Sequence, residues 1–156
     1  MRFPVSFSQQ RLWFLDRLEP ERAVYNVPLA MRLRGALDVG ALSSALNLLI
    51  ERHEALRTSF SLLDGTVAQV IGPPWQLTLT PVDLRGLADR EARAAALVSE
   101  QATLPFDLSA GPLMRAALVA LGDEDHVLIL TVHHIIADAW SLRASAGSPA
   151  LGCPPR

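Results

Sequence analysis

The chain contains one cysteine, Cys153, and no lysine; all 14 of its basic residues are arginine. A single thiol cannot close an internal disulfide, and no His/Cys spacing resembles a zinc site, so no metal is expected and a reducing compartment fits best. The arginines are scattered rather than gathered into a stripe, and the formal net charge is −2, which excludes the basic surface that nucleic-acid binding requires. No apolar stretch approaches the ~20 residues of a membrane span. The N-terminal segment from Met1 to Gln10 lacks the unbroken apolar core of a secretory signal. No solenoid-length repeat is present. These absences describe a soluble, cytoplasmic polypeptide with neither nucleic acid nor a membrane as partner.

What is present is apolar and regularly punctuated. Half of the 156 residues are hydrophobic, enough for one domain that buries roughly 68–70% of its unfolded surface. Ser8 is read as the cap of a first helix with the apolar stripe Leu12, Trp13, Leu15 and Leu18, which Pro20 helps to end. Residues 24–33 read as extended, with Leu29, Met31 and Leu33 alternating against Ala30, Arg32 and Arg34 until Gly35. Asp38 caps a second helix whose apolar face is Leu42, Ala45, Leu46, Leu49 and Ile50. Residues 56–63 and 67–71 form a hairpin around Asp64-Gly65. After Pro73-Pro74, residues 75–84 read as a shorter strand, from the alternation of Leu77, Leu79 and Pro81 against Thr78, Thr80 and Val82. A third helix covers residues 88–103. Residues 113–121 and 126–133 pair antiparallel across Gly122-Asp123-Glu124-Asp125. The fold class is α/β, in the form of an α+β mixed sheet with flanking helices.

The chemistry concentrates at the end of the last strand. His133 and His134 follow the apolar run Val127-Leu128-Ile129-Leu130-Thr131-Val132, and Asp138 stands four residues after the second of them. A strand sends successive side chains to opposite faces, so the two imidazoles need separate explanations. Taken alone, each is an ordinary hydrogen-bonded histidine. Adjacent histidines that diverge, with no third ligand, make a metal site the weakest reading.

Three blocks carry a family resemblance. Phe7-Ser8-Gln9-Gln10-Arg11-Leu12-Trp13-Phe14-Leu15 resembles the first core motif of nonribosomal peptide synthetase condensation domains, and Arg52-His53-Glu54-Ala55-Leu56-Arg57-Thr58-Ser59-Phe60 resembles the second. Val132-His133-His134-Ile135-Ile136-Ala137-Asp138-Ala139-Trp140-Ser141 is similar to the active-site motif HHxxxDG followed by Trp-Ser, with Ala139 in place of glycine. Between them, Tyr25-Asn26-Val27-Pro28 and the ten residues from Leu104 to Leu113 also look like family sequence. The resemblance is unbroken from Phe3 to Ser141 and far more specific than an isolated HHxxxD.

The resemblance implies a chloramphenicol-acetyltransferase-like fold of two lobes with the active site in a tunnel between them. Residues 3–141 would be the N-terminal lobe, with the second lobe and its later motifs absent. Donor and acceptor peptidyl carrier domains would bring substrates on 4′-phosphopantetheine arms, with no cofactor bound covalently to this chain, and an adenylation domain or further modules would complete the synthetase. His134 would sit in the tunnel, either as general base or as the group that positions the acceptor amine. An imidazole with an ordinary pKa of ~6.5 can take the proton as the amine becomes positive. His133 would pack or hydrogen-bond on the opposite face. Asp138 would pair with Arg52 or Arg57, because a carboxylate taken out of water needs a compensating charge. Trp13, Phe14 and Leu15 are read as core packing, and Trp140 as lining the channel or anchoring the loop. Ser141 lacks the glycine-flanked elbow of a serine nucleophile.

Two departures qualify the resemblance. Ala139 would shift the loop if that position demands positive φ, at roughly 1 kcal/mol or more. Residues 142–156, rich in Gly, Pro and Ser, show no helical stripe and are expected to be a divergent, disordered tail, as a truncation or reading-frame change would produce. A lone first lobe is expected to have little or no activity and to expose apolar surface. The order Ala139-Trp140-Ser141 and the paired histidines favour ordinary condensation over heterocyclization or epimerization. The alternatives are a stand-alone acyltransferase using coenzyme A or another thioester, and a degenerate non-catalytic fragment or carrier-docking module.

Overall fold

The computed structural model describes residues 1–19 and 23–136. Twelve elements follow in order: β1 (Arg2–Pro4), α1 (Phe7–Leu18), a 3₁₀ turn (Ala23–Tyr25), β2 (Asn26–Arg34), α2 (Val39–Arg52), a second 3₁₀ turn (Glu54–Arg57), β3 (Thr58–Leu63), β4 (Thr66–Ile71), β5 (Val82–Asp83), α3 (Arg90–Thr103), β6 (Met114–Gly122) and β7 (Asp125–His133). The mixed sheet has the order β2-β7-β6-β5, antiparallel except for the parallel β5–β6 pair, and a second sheet has the order β1-β4-β3.

Register explains why the four-stranded sheet is buried on both sides. Along β7, Leu128, Leu130 and Val132 share one face with Met31, Leu29 and Val27 of β2 and with Leu118, Ala116 and Met114 of β6. Helix α2 covers that face with Leu46 and Ile50, joined by Leu77 and Leu79. Val127 and Ile129 point the other way and meet Ala94, Leu97 and Val98 of α3. A third core group, Phe60, Leu108, Leu113 and Ile135, with Leu12 and Trp13 packed on it, links the β3 strand, helix α1 and the segment beyond β7. Two-sided burial is why β7 reads as an almost unbroken apolar run.

The Asp64-Gly65 hairpin forms with both residues at positive φ, 50° and 78°, the conformation that a two-residue turn between twisted strands demands. Asp38 caps α2 by accepting from the Ala41 amide at 2.9 Å. Four local expectations are corrected. The cap of α1 is Ser6 rather than Ser8: its hydroxyl accepts from the Gln9 amide and the Gln9 side chain accepts from the Ser6 amide, a reciprocal capping box. Residues 23–25 and 54–57 form 3₁₀ turns, so β2 begins at Asn26 and β3 at Thr58. The β1 strand, too short to show a period, pairs with β4.

The fourth correction concerns residues 75–84, where only Val82–Asp83 joins a sheet. Leu77 and Leu79 are buried and Thr78 and Thr80 exposed, as the alternation requires, but no strand ladder supports them. Instead the Asn47 side chain on α2 accepts from the Leu77 amide at 2.7 Å and donates to its carbonyl at 2.9 Å. A side-chain amide thus satisfies the backbone groups that a neighbouring strand would otherwise pair.

Leu118 is fully buried between α2 and the sheet. Leu118→Ala is expected to lower unfolding stability by about 2–5 kcal/mol, whereas Leu48→Ala, at a position 57% exposed on α2, stays within about 0.5 kcal/mol. Denaturant midpoints of the two variants check the contrast.

Candidate active site

The histidine pair sits where β7 ends, and the backbone there is held from both sides. The His133 amide donates to the Leu113 carbonyl at 2.9 Å, and the His134 amide donates to the Tyr25 carbonyl at 2.8 Å. The chain then turns, with the Ile136 amide donating to the His133 carbonyl at 3.1 Å. Alternation carries into the side chains: His133 is 2% exposed on the α3 face, and His134 is exposed.

His133 has the surroundings of a neutral ring. The Ile135 amide donates to its Nδ1 at 3.2 Å, so Nδ1 carries no hydrogen and the ring proton lies on Nε2. Nε2 faces Asp16 Oδ1 at 4.0 Å, beyond hydrogen-bond reach. The Phe106 ring meets the imidazole edge-on at 6.2 Å and 88°, and the Tyr25 ring lies tilted at 6.2 Å. Burial, with a smaller push from His134, lowers the His133 pKa to about 4. Asp16 moves the other way: burial raises its pKa, Asp107 adds to the rise, and Arg17 opposes it. Both partners are therefore shifted toward their uncharged forms.

The turn after the pair gathers the three motif blocks. From the first, the Gln9 side-chain amide donates to the Ile135 carbonyl at 3.4 Å, and Leu12 and Trp13 pack against the core group that contains Ile135. From the second, Phe60 is fully buried in the same group, and its amide donates to the Leu108 carbonyl at 2.7 Å. Leu108 belongs to the loop that carries Phe106 onto His133. In that loop the Asp107 carboxylate accepts from the Ser109 hydroxyl at 2.6 Å and from its amide at 2.8 Å. These bonds hold Asp107 below the usual carboxylate range. Leu15, Asp16, Leu18, Glu19, Val24 and Tyr25 line a cavity of about 350 Å³ that shares Asp16 and Tyr25 with the surroundings of His133.

The two arginines of the second block differ. Arg52 is exposed in the last turn of α2. Arg57 is largely buried: its guanidinium donates to the Gly72 carbonyl at 2.8 Å and lies 3.6 Å from Glu54, and its Nε is buried with no partner among the described residues. Asp138, Ala139, Trp140 and Ser141, and the segment 142–156, lie outside the described residues. Sequence reasoning missed Asp16, Phe106 and Gln9 as parts of the histidine environment; Gln9 and Phe106 stood inside family-like blocks, which was the available signal. Among the described residues no cluster of three His, Cys, Asp or Glu side chains could hold a metal. No described helix is long and apolar enough to cross a membrane.

Against known proteins, the condensation-domain family profile matches residues 2–146. A linear gramicidin synthase of Brevibacillus parabrevis is 52% identical over 141 residues, covering 89% of this chain and 2% of that protein. Phosphinothricin tripeptide synthetase PhsC of Streptomyces viridochromogenes is 47% identical over 141 residues, covering 89% of this chain and 13% of that protein. Among solved structures, the starter condensation domain of rhizomide synthetase RzmA superposes with a TM-score of 0.87 at 27% identity, over 94% of this chain and 35% of that one. The X-domain from teicoplanin biosynthesis gives 0.80 at 40% identity, over 89% and 29%. The chain thus spans a small part of its curated relatives and about a third of these solved chains.

A histidine buried neutral makes stability pH-dependent. With a folded pKa near 4 and an unfolded value of ~6.5, the unfolded chain binds the extra proton between those limits, so stability falls as pH drops through that window. Urea midpoints measured from pH 7 to 4 are expected to fall more steeply for the parent than for His133→Gln. Parallel curves would remove the neutral-imidazole assignment.

Proposed function

Because the chain belongs to the family of condensation domains found in nonribosomal peptide synthetases, we propose that it is the histidine-bearing lobe of a domain that joins a thioester donor to an amine acceptor. The observation that carries this reading is the convergence of the three motif blocks on the turn that starts at the exposed His134. In the reaction, the acceptor nitrogen attacks the thioester carbonyl carbon, a C–N bond forms, and the tetrahedral intermediate collapses with cleavage of the C–S bond. His134 takes the proton that the amine sheds and returns it to the departing thiolate. Donor and acceptor carrier domains present both substrates on phosphopantetheine arms, and an adenylation domain of the same cytoplasmic synthetase activates them. Tethering both reactants supplies most of the remaining acceleration by proximity.

The same reading extends to the neighbouring motif residues. His133, neutral and buried, anchors the strand end from which His134 projects. For Asp138 the proposed partner is Arg57 rather than Arg52, since Arg57 keeps a buried Nε–H without a partner among the described residues while Arg52 faces solvent. Trp140 anchors the loop behind the pair, and Ala139 makes that loop less permissive than glycine would. The outward stripe Phe7, Phe14 and Leu18 on α1, 87%, 57% and 62% exposed, corrects the reading of Phe14 as core packing, since the helix turns Leu12 and Trp13 inward instead, and supports a lobe that works against further protein and has little activity alone. Two of the relatives named above are synthetases and one solved structure is a synthetase condensation domain, which favours this reading over the stand-alone acyltransferase.

In a two-lobed domain containing this lobe, His134→Ala is expected to lower the rate of amide formation between loaded carrier proteins by roughly 10²–10⁴-fold; parental turnover in that variant would overturn the assignment. Arg57→Ala is expected to lower both thermal stability and turnover, while Arg52→Ala leaves stability within about 0.5 kcal/mol. Equal effects from the two arginines would remove the Asp138–Arg57 pairing.

A further inference from the structure

We propose that Arg115 is a positioning residue for the histidine pair, holding Phe106 against His133 by clamping the end of α3. The proposal deepens the reading above and rests on it for its bearing on catalysis, but its geometry stands alone.

Arg115 lies on β6, opposite Thr131 of β7, on the sheet face that also bears His133. Its guanidinium donates to the Gln101 carbonyl at 2.9 Å, to the Pro105 carbonyl at 3.3 Å and to the Leu104 carbonyl. Asn26 of β2, opposite His133 in register, donates to the carbonyls of Ala102 at 2.9 Å and Leu104 at 2.7 Å. These oxygens lie at and just beyond the C-terminal end of α3, where carbonyls lose their intrahelical partners and the helix dipole is negative. Two sheet side chains therefore fix the point at which the chain leaves the helix.

Phe106 follows two residues after Leu104. Arg115 Cζ lies 3.9 Å from the centroid of its ring, and that ring meets the His133 imidazole edge-on. One planar cation thus clamps the helix end and stacks on the ring that shields His133. No carboxylate pairs with Arg115 among the described residues, and burial disfavours its charge. An apolar side chain would fill the space without desolvating a cation. What it could not do is bond three carbonyls and stack on Phe106 together, for which the flat five-donor fork of arginine is suited and the point charge of lysine is not.

The imidazole reports the coupling. The ionisable groups that face His133 or act on it are Asp16 from α1, Tyr25 from the 3₁₀ turn, His134 beside it, and Asp107, which acts on Asp16. ¹⁵N NMR titration of the imidazoles in the 156-residue chain is expected to place His133 near 4 in the parent. Arg115→Lys keeps the charge but loses the fork and the stacking, so water reaches the ring and the His133 midpoint rises by about one unit or more toward ~6.5. Phe106→Ala, which removes the link itself, is expected to raise it as much.

An unmoved His133 in folded Arg115→Lys would reduce Arg115 to a helix cap and overturn the proposal. Should that variant fail to fold, an unmoved His133 in Phe106→Ala would overturn it equally. Neither readout uses amide formation. Full turnover in His134→Ala would remove the catalytic reading and leave the coupling standing, whereas an unmoved imidazole would do the reverse.

Discussion

The structure depends on strand β7 being held on both edges up to its last residue. Its neighbours β2 and β6 supply ladder partners along its length, and the pairing continues past the strand through the Leu113 and Tyr25 carbonyls. A strand end of this kind cannot fray without giving up bonds on two sides and exposing apolar surface on two faces. The turn that follows inherits that rigidity, so the direction of the His134 side chain is set by the sheet rather than by the loop. Functional groups mounted on regular elements in this way are held more closely than groups on loops.

Burial then divides the labour between two chemically identical rings. His133 faces α3 and aromatic cover, where a charge would be desolvated, and its Nδ1 is committed to accepting from the Ile135 amide. Protonation would turn that acceptor into a second donor and cost the hydrogen bond as well as the solvation. Asp16 is itself shifted by burial toward its uncharged form. The exposed neighbour remains the ring that solvent or substrate can reach.

Legibility in the sequence followed the range of the signal. Helix α2 was readable because Asp38 and five apolar residues at helical spacing are local features, and the hairpin at Asp64-Gly65 because positive φ has a residue signature. Alternation at Leu77 and Leu79 correctly marked which side chains are buried but not the absence of a ladder, since a distant amide, Asn47, supplies the hydrogen bonds. The cap of α1 was misplaced by two residues because Ser6 and Ser8 are both competent, and only the Gln9 reciprocity selects Ser6. For the histidines, strand alternation alone required that they diverge. Which ring turns inward was carried by the family motif, not by the period. Asp16 and Phe106 escaped notice because their nearness to His133 is purely tertiary.

The arrangement around Arg115 also bears on why residues 104–113 resemble family sequence although they hold none of the three motif blocks. That stretch leaves a helix whose last carbonyls are bound by β2 and β6, lays Phe106 on His133, closes on itself through Asp107 and Ser109, and reaches Phe60 through Leu108. The ring contact and the Asp107–Ser109 bonds depend on side-chain identity, whereas Leu104 and Leu108 contribute backbone carbonyls, so the loop is specified mainly at Phe106, Asp107 and Ser109. The loop acts as a wall: Phe106 meets the buried His133 imidazole edge-on, and the next residue, His134, stays exposed.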